Sequence, residues 1–216
     1  MSLESDLGVQ NLAVFMVSGL LLNITPGPDS MLIMTRSASQ GWRAGSAAAL
    51  GIGAGTMVHV VAAAWGVSAL IATSATAFSI MKWIGAAYLI YLGWMLWRQA
   101  PSADATAPPA SAPQTHARLF AQGFLTNVLN PKVALFFMAF VPQFIDPQAS
   151  HKAVSFLVLG SLFNINSMVW CHVLAWSSAA AGQRVRMSQA LKRGLNRCIG
   201  TVLVSFGVKL ALADQT

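Results

Sequence analysis

The stretch Asn23-Ile24-Thr25-Pro26-Gly27-Pro28-Asp29 lies inside an apolar run covering about residues 9–34. It has an echo, Asn127-Val128-Leu129-Asn130-Pro131-Lys132, inside a second long run at about 119–145. Each places an asparagine a few residues before a proline and a charge directly after it. Pro26 and Pro28 each remove a helix donor and Gly27 adds backbone freedom, so the carbonyls of Leu22 and Ile24 lose their usual partners. In a membrane such backbone is tolerated only where it is buried in protein or lines a wet cavity. An ionisable side chain within a span costs about 2.5–3.5 kcal/mol at the centre on insertion scales, so Asp29 and Lys132 each need a partner or a task.

Working outward, the composition agrees with a membrane setting. Charged residues make up 9% of the 216, against roughly a quarter in soluble domains, and 56% are hydrophobic. That excludes a soluble domain, whose surface needs more charge, and a disordered chain. Cys171 and Cys198 form no disulfide framework and no CxxC motif. The acidic start, with Glu4 and Asp6, argues for a retained first helix over a cleaved signal.

Six runs are long enough to span, at about 9–34, 44–72, 78–97, 119–145, 153–181 and 195–213. Nine of the thirteen basic residues (Arg36, Arg43, Arg98, Arg118, Arg184, Arg186, Lys192, Arg193 and Arg197) then fall on one side. Four of the six acids (Glu4, Asp6, Asp146 and Asp214) fall on the other. The positive-inside rule puts the basic loops in the cytoplasm and both termini in the periplasm. Trp83, Tyr91, Trp94 and Trp97 fit interfacial anchors. The net charge of +7 therefore concerns orientation, with no nucleic-acid partner implied. The Ala/Pro-rich stretch 100–114 reads as a flexible cytoplasmic linker, and 183–197 as a basic loop.

The echo extends beyond the breaks. Thr56-Met57-Val58 and Ala64-Trp65 match Ser167-Met168-Val169 and Ala175-Trp176 at a constant offset of 111. Lys82-Trp83-Ile84-Gly85 matches Arg197-Cys198-Ile199-Gly200. Three spans is an odd number, so the halves have opposite orientations. The expected fold is an all-α polytopic membrane protein: six transmembrane helices as two inverted three-helix repeats, the first helix of each broken at its Pro motif. The single transporter domain covers 1–216, with repeat one at about 9–97, the linker at about 98–118 and repeat two at about 119–213.

Two interrupted helices meeting near the bilayer centre make a site. Freed carbonyls and Asp29 would hold an ammonium group or a proton; Lys132 and a half-helix N-terminus would hold a carboxylate. Asn23, Thr25, Asn127 and Asn130 flank the breaks at Pro26, Gly27, Pro28 and Pro131. His59, Asn164, Asn166 and His172 are the remaining polar candidates for lining the cavity. Each also has a structural alternative, as packing histidines or as interhelical hydrogen-bond glue. The plainer alternative for Asp29 and Lys132 is a structural ion pair, or positions at wet helix ends. Gly51-Ile52-Gly53-Ala54-Gly55 reads as a helix-packing face, within one chain or between two, so a homodimer stays open. No metal site, cofactor motif, P-loop or Ser/His/Asp set is visible.

The motifs Thr25-Pro26-Gly27-Pro28-Asp29, Gly41-Trp42-Arg43-Ala44-Gly45, the run from Lys82-Trp83-Ile84-Gly85 to Leu92-Gly93, Asn127 to Lys132, and Val141-Pro142-Gln143-Phe144-Ile145 together resemble the LysE/RhtB family of amino-acid exporters. The resemblance covers about residues 11–213, and the homoserine/threonine branch is the most similar. It implies a multi-pass protein of the bacterial inner membrane that is no enzyme and exports a small neutral amino acid, driven by the proton gradient. Asp29 would bind the proton and the substrate ammonium in alternation. The competing readings are a divalent-cation exporter using Asp29, His59 and His172, a lipid enzyme, and an accessory subunit. The first lacks carboxylates, the second lacks a nucleophile, and the third leaves the paired breaks unexplained.

Overall fold

The computed structural model describes residues 7–67, 75–98, 113–146, 148–181 and 189–212. Outside these lie Glu4, Asp6, Arg184, Arg186, Asp214 and most of the linker at 100–114. Helices α1 (Leu12–Ile24) and α2 (Pro28–Gln40) are followed by α3 (Trp42–Ala62), which continues through a π turn at Ala63–Val67. Then come α4 (Ala75–Arg98), α5 (His116–Val128) and α6 (Pro131–Leu135), which runs on through a π turn at Phe136–Phe140 and a 3₁₀ turn at Val141–Phe144. Helices α7 (Lys152–Ala181) and α8 (Gln189–Leu212) complete the chain. Among the described residues the only β pairing is an isolated bridge between Val9 and Ile145.

The breaks fall where the prolines and Gly27 require them. Helix α1 ends at Ile24, Gly27 is extended, and Pro28 opens α2 at its first position, where its missing N–H costs nothing. The two halves meet at a bend of 56°. In the second case α5 ends at Val128, the Asn130 side chain caps the next turn by accepting from Lys132 N at 3.0 Å, and Pro131 again takes the first position. The bend there is 48°. Each break lies near the middle of its pair: α1 and α2 have 13 residues each, and α5 has 13. At 1.5 Å per residue each 13-residue half is about 20 Å long.

Helix α3 with its π turn and helix α7 are long and apolar enough to cross a membrane, and each bent pair adds a span if it is counted as one. The molecule is thus a helical, polytopic membrane protein. Helices α4 and α8 have 24 residues each and pack on one another. A Cβ at Gly93 would lie 2.5 Å from the Gly200 carbonyl oxygen, so glycine is needed for that contact. Helix α8 already begins at Gln189, so Lys192, Arg193 and Arg197 stand on a helix and not in the loop expected at 183–197. Trp97 Nε1 donates to the Arg197 carbonyl at 3.1 Å, and Arg98 lies 4.3 Å over the Trp94 ring.

The glycine face on α3 works within the chain. A Cβ on Gly51 would collide with the Phe120 carbonyl of α5, and one on Gly123 of α5 with the Ala48 carbonyl of α3. Small residues let these two backbones touch, as membrane helices do where lipid supplies no hydrophobic drive between them. The main core mixes aliphatic side chains with a group of phenylalanines. Phe15, Phe136, Phe137, Phe140, Phe144 and Phe163 are buried together, with Phe136 and Phe163 centroids 4.8 Å apart.

Several matched positions of the two halves share their environments. Thr56 and Ser167 are buried, Val58 and Val169 are exposed, and Trp65 and Trp176 are each 68% exposed.

Candidate substrate site at the crossed helix breaks

Asp29 stands in the first turn of α2, where the positive end of the helix dipole favours a carboxylate. Its Oδ2 accepts from Asn127 Nδ2 at 2.8 Å and from Asn130 Nδ2 at 3.1 Å, both from the other break. Lys132 reaches the opposite way. Its Nζ donates to the carbonyls of Leu22 and Thr25, each at 3.2 Å. The Leu22 carbonyl is the one that Pro26 leaves without a helical donor, and a cation at the C-terminal end of α1 suits the dipole there. Gly27 leaves room for this reach, since a Cβ there would lie 3.3 Å from Lys132 Nζ. Each charge is therefore held by polar groups of the opposite break, and the two charges form no direct ion pair.

Neighbouring residues extend the cross. Asn127 and Asn130 are buried. Thr56 Oγ1 lies 3.3 Å from Asn127 Oδ1, and His59 Nε2 lies 3.0 Å from the Asn127 carbonyl. Thr25 is buried, and its hydroxyl donates to the Leu21 carbonyl at 2.8 Å. Asn23 and Asp29 both line a cavity beside the breaks. With them stand Lys132, Leu22, Ile52, Val133 and Phe163, together with Thr56, Ser167, Trp170 and Cys171. The cavity measures about 20 Å³, room for roughly one water. A bound amino acid needs more room than this.

Hydrogen bonds tie the helices together on both sides of the breaks. On one, the Leu7–Asn11 segment is pinned: Gln10 N donates to the Phe144 carbonyl at 2.9 Å, and Asp146 N to the Gly8 carbonyl at 2.7 Å. Ser155 Oγ donates to the Leu7 carbonyl at 2.6 Å. The phenylalanine core lies between this segment and the breaks. On the other, Arg36 donates to Gln122 at 3.2 Å, and Gln40 Oε1 accepts from Gln114 N at 2.9 Å.

The remaining candidates lie off the cavity wall. Asn166 donates to the Met16 carbonyl at 3.1 Å, and His172 Nδ1 lies 2.8 Å from the Met168 carbonyl on its own helix. Asn164 lies near Gly53 on α3. No group of three or more metal-ligating side chains occurs among the described residues. Ser30, Thr56, Ser167, Trp170 and Cys171 line the cavity without having been expected there. Thr56 and Ser167 carried a signal as matched positions in the two halves, and Trp170 as the match of His59, while Cys171 carried none.

The decisive observation is the family profile, which matches residues 20–214, both breaks included. The chain belongs to the LysE type translocator family. This translocator is 34% identical over 211 residues to an uncharacterized membrane protein of Pseudomonas aeruginosa, covering 96% of this chain and 97% of the other. It is 34% identical over 200 residues to an uncharacterized membrane protein of Vibrio cholerae, covering 92% and 95%. A leucine efflux protein of Salmonella typhimurium is 30% identical over 208 residues, covering 96% and 97%. No solved structure is significantly similar to it.

Proposed function

We propose that this translocator exports a neutral amino acid across the bacterial inner membrane in exchange for protons, by alternating access. The observation that carries the reading is the crossed arrangement at the two breaks. One carboxylate and one ammonium are held by opposite halves around a cavity, so moving one half relative to the other changes both ends of the site together. Asp29 takes the proton and the substrate ammonium in turn, which couples the two because one carboxylate oxygen cannot serve both at once. Lys132 keeps one N–H beyond the two given to Leu22 and Thr25, and it attracts the substrate carboxylate.

The architecture we infer is six spans in two inverted repeats, with both termini periplasmic. The shared environments of Thr56 and Ser167, Val58 and Val169, and Trp65 and Trp176 support the repeat. The pairing of α3 with α7 and of α4 with α8, each helix with its counterpart, supports it too. The basic residues on one side support the orientation.

Homoserine and threonine are the substrates to which the sequence resemblance points. The leucine efflux relatives and the wall formed by Leu22, Ile52, Val133 and Phe163 favour an aliphatic side chain. Among the described residues no second carboxylate lines the cavity to hold a cationic side chain. The test is transport in proteoliposomes with an imposed proton gradient, comparing wild type with Asp29→Asn. Wild type exchanges leucine faster than threonine or lysine, and the variant inserts normally but loses gradient-driven transport. Proton-coupled transport by Asp29→Asn at the wild-type rate would refute the reading.

A further inference from the structure

Three buried polar atoms of residues lining the cavity have no hydrogen-bond partner among the described residues: Asp29 Oδ1, Asn23 Nδ2 and Trp170 Nε1. Buried polar groups in folded proteins are nearly always paired, and leaving one unmade costs about as much as a hydrogen bond contributes. Of nine such atoms among the described residues, these three surround one cavity of about 20 Å³, where a polar ligand would satisfy them. Their chemistry is complementary to a zwitterion: one anionic acceptor and two neutral N–H donors.

The two halves treat matching positions differently. His59 and Trp170 stand at the offset of 111 that relates Thr56 to Ser167. The His59 ring is engaged, with Nε2 at 3.0 Å from the Asn127 carbonyl. The Trp170 indole is a donor only and has no acceptor. Lys132 already gives two of its three N–H groups to carbonyls. A carboxylate arriving beside it has four outward lone-pair positions, more than one remaining ammonium hydrogen can fill.

Resting on the export reading above, we propose that Trp170 Nε1 and Asn23 Nδ2 are the donors that bind the substrate carboxylate, with Asp29 Oδ1 accepting from its ammonium. Trp170 is thus a recognition residue for α-carboxylates, contributed by α7. The site accordingly selects molecules that carry both an ammonium and a carboxylate, and it discriminates against simple amines of the same side chain.

The experiment uses the full-length protein in proteoliposomes with labelled leucine, and the carboxylate-free amine isopentylamine as competitor. In Trp170→Phe the leucine KM rises about tenfold, the loss expected for one hydrogen bond to a charged group, while kcat stays near wild type. Inhibition by isopentylamine changes less than about twofold, which also shows that the variant is folded. Asn23→Ala gives the same split independently. An equal weakening of leucine and isopentylamine in both variants assigns these residues to cavity shape and overturns the proposal. So does an unchanged leucine KM. Failure of the underlying export reading is a separate result, because it shows in the wild-type protein as absence of amino-acid transport.

Discussion

Lys132 Nζ donates at 3.2 Å to the carbonyl of Leu22, the group whose helical donor Pro26 removes. One half of the protein thus completes the hydrogen bonding that the other half leaves open. The pair turns a local defect in α1 into a long-range tie across 110 residues of sequence.

Removing that tie is expected to be costly. Lys132→Met leaves the Leu22 and Thr25 carbonyls without their donor, and each buried unmade group costs about 1–3 kcal/mol. Thermal unfolding of the detergent-purified variant should begin well below wild type. Lys132→Arg, which keeps donors and charge, should recover part of the loss. An unchanged unfolding temperature in Lys132→Met would show that the carbonyls find other partners.

Asn127 joins several parts of the site, touching Asp29, Thr56 and His59. Asn127→Leu keeps the branched shape and the number of side-chain heavy atoms but removes the donor to Asp29. Gradient-driven transport should fall at least about tenfold, the equivalent of roughly 1.4 kcal/mol. Asn130→Ala loses both an N-cap and an Asp29 donor, so it should also lose about 1 kcal/mol of stability. Transport assays beside thermal unfolding separate the two effects.

The contact of α3 with α5 leaves no space for a methyl group. Gly51→Ala and Gly123→Ala each push a Cβ into facing backbone, which cannot yield as a flexible side chain does. Both variants should show reduced yield of folded protein in the membrane. By contrast Gly66→Ala, with nothing within 4 Å of the added carbon, should be neutral. Size-exclusion profiles after detergent extraction provide the comparison.

The two cysteines should differ in reactivity. Cys198 is exposed, while Cys171 is buried on the cavity wall. A small maleimide should label Cys198 quickly in detergent. Cys171 should react slowly at rest, faster during turnover as the cavity opens, and slowly again when leucine is in excess on both sides. Equal labelling of Cys171 in all three conditions would mean that it does not face the transport route.

How far the sequence announced this site depends on the range of the chemistry involved. Proline and glycine act on backbone within one turn, so the breaks at residues 25–27 and 129–130 were legible from the residues themselves. Asp29 and Lys132 stood out because charge is scarce. Their mode of engagement was not legible: the expected alternatives included an ion pair, and the structure instead crosses each charge to the other half. The cavity wall was harder still. In an apolar helix such as α7, the rotational phase that turns Trp170 and Cys171 to the cavity and Val169 outward is set by packing against neighbours, because both faces are apolar. Asn166 and His172 carried both readings in the sequence, cavity lining and packing. Their polar atoms meet carbonyls of Met16 and Met168, a role that side-chain identity alone does not separate from ligand binding.

The near-central position of both breaks has an electrical consequence. With the proposed topology, a charge arriving at Asp29 from either face has crossed about half of the transmembrane potential. At about 2.3 kcal/mol per charge per 100 mV for a full crossing, loading and unloading would each sense roughly 1.2 kcal/mol. Voltage would then act with similar weight on the inward and the outward half of the cycle, and a single deep well would serve as relay for both.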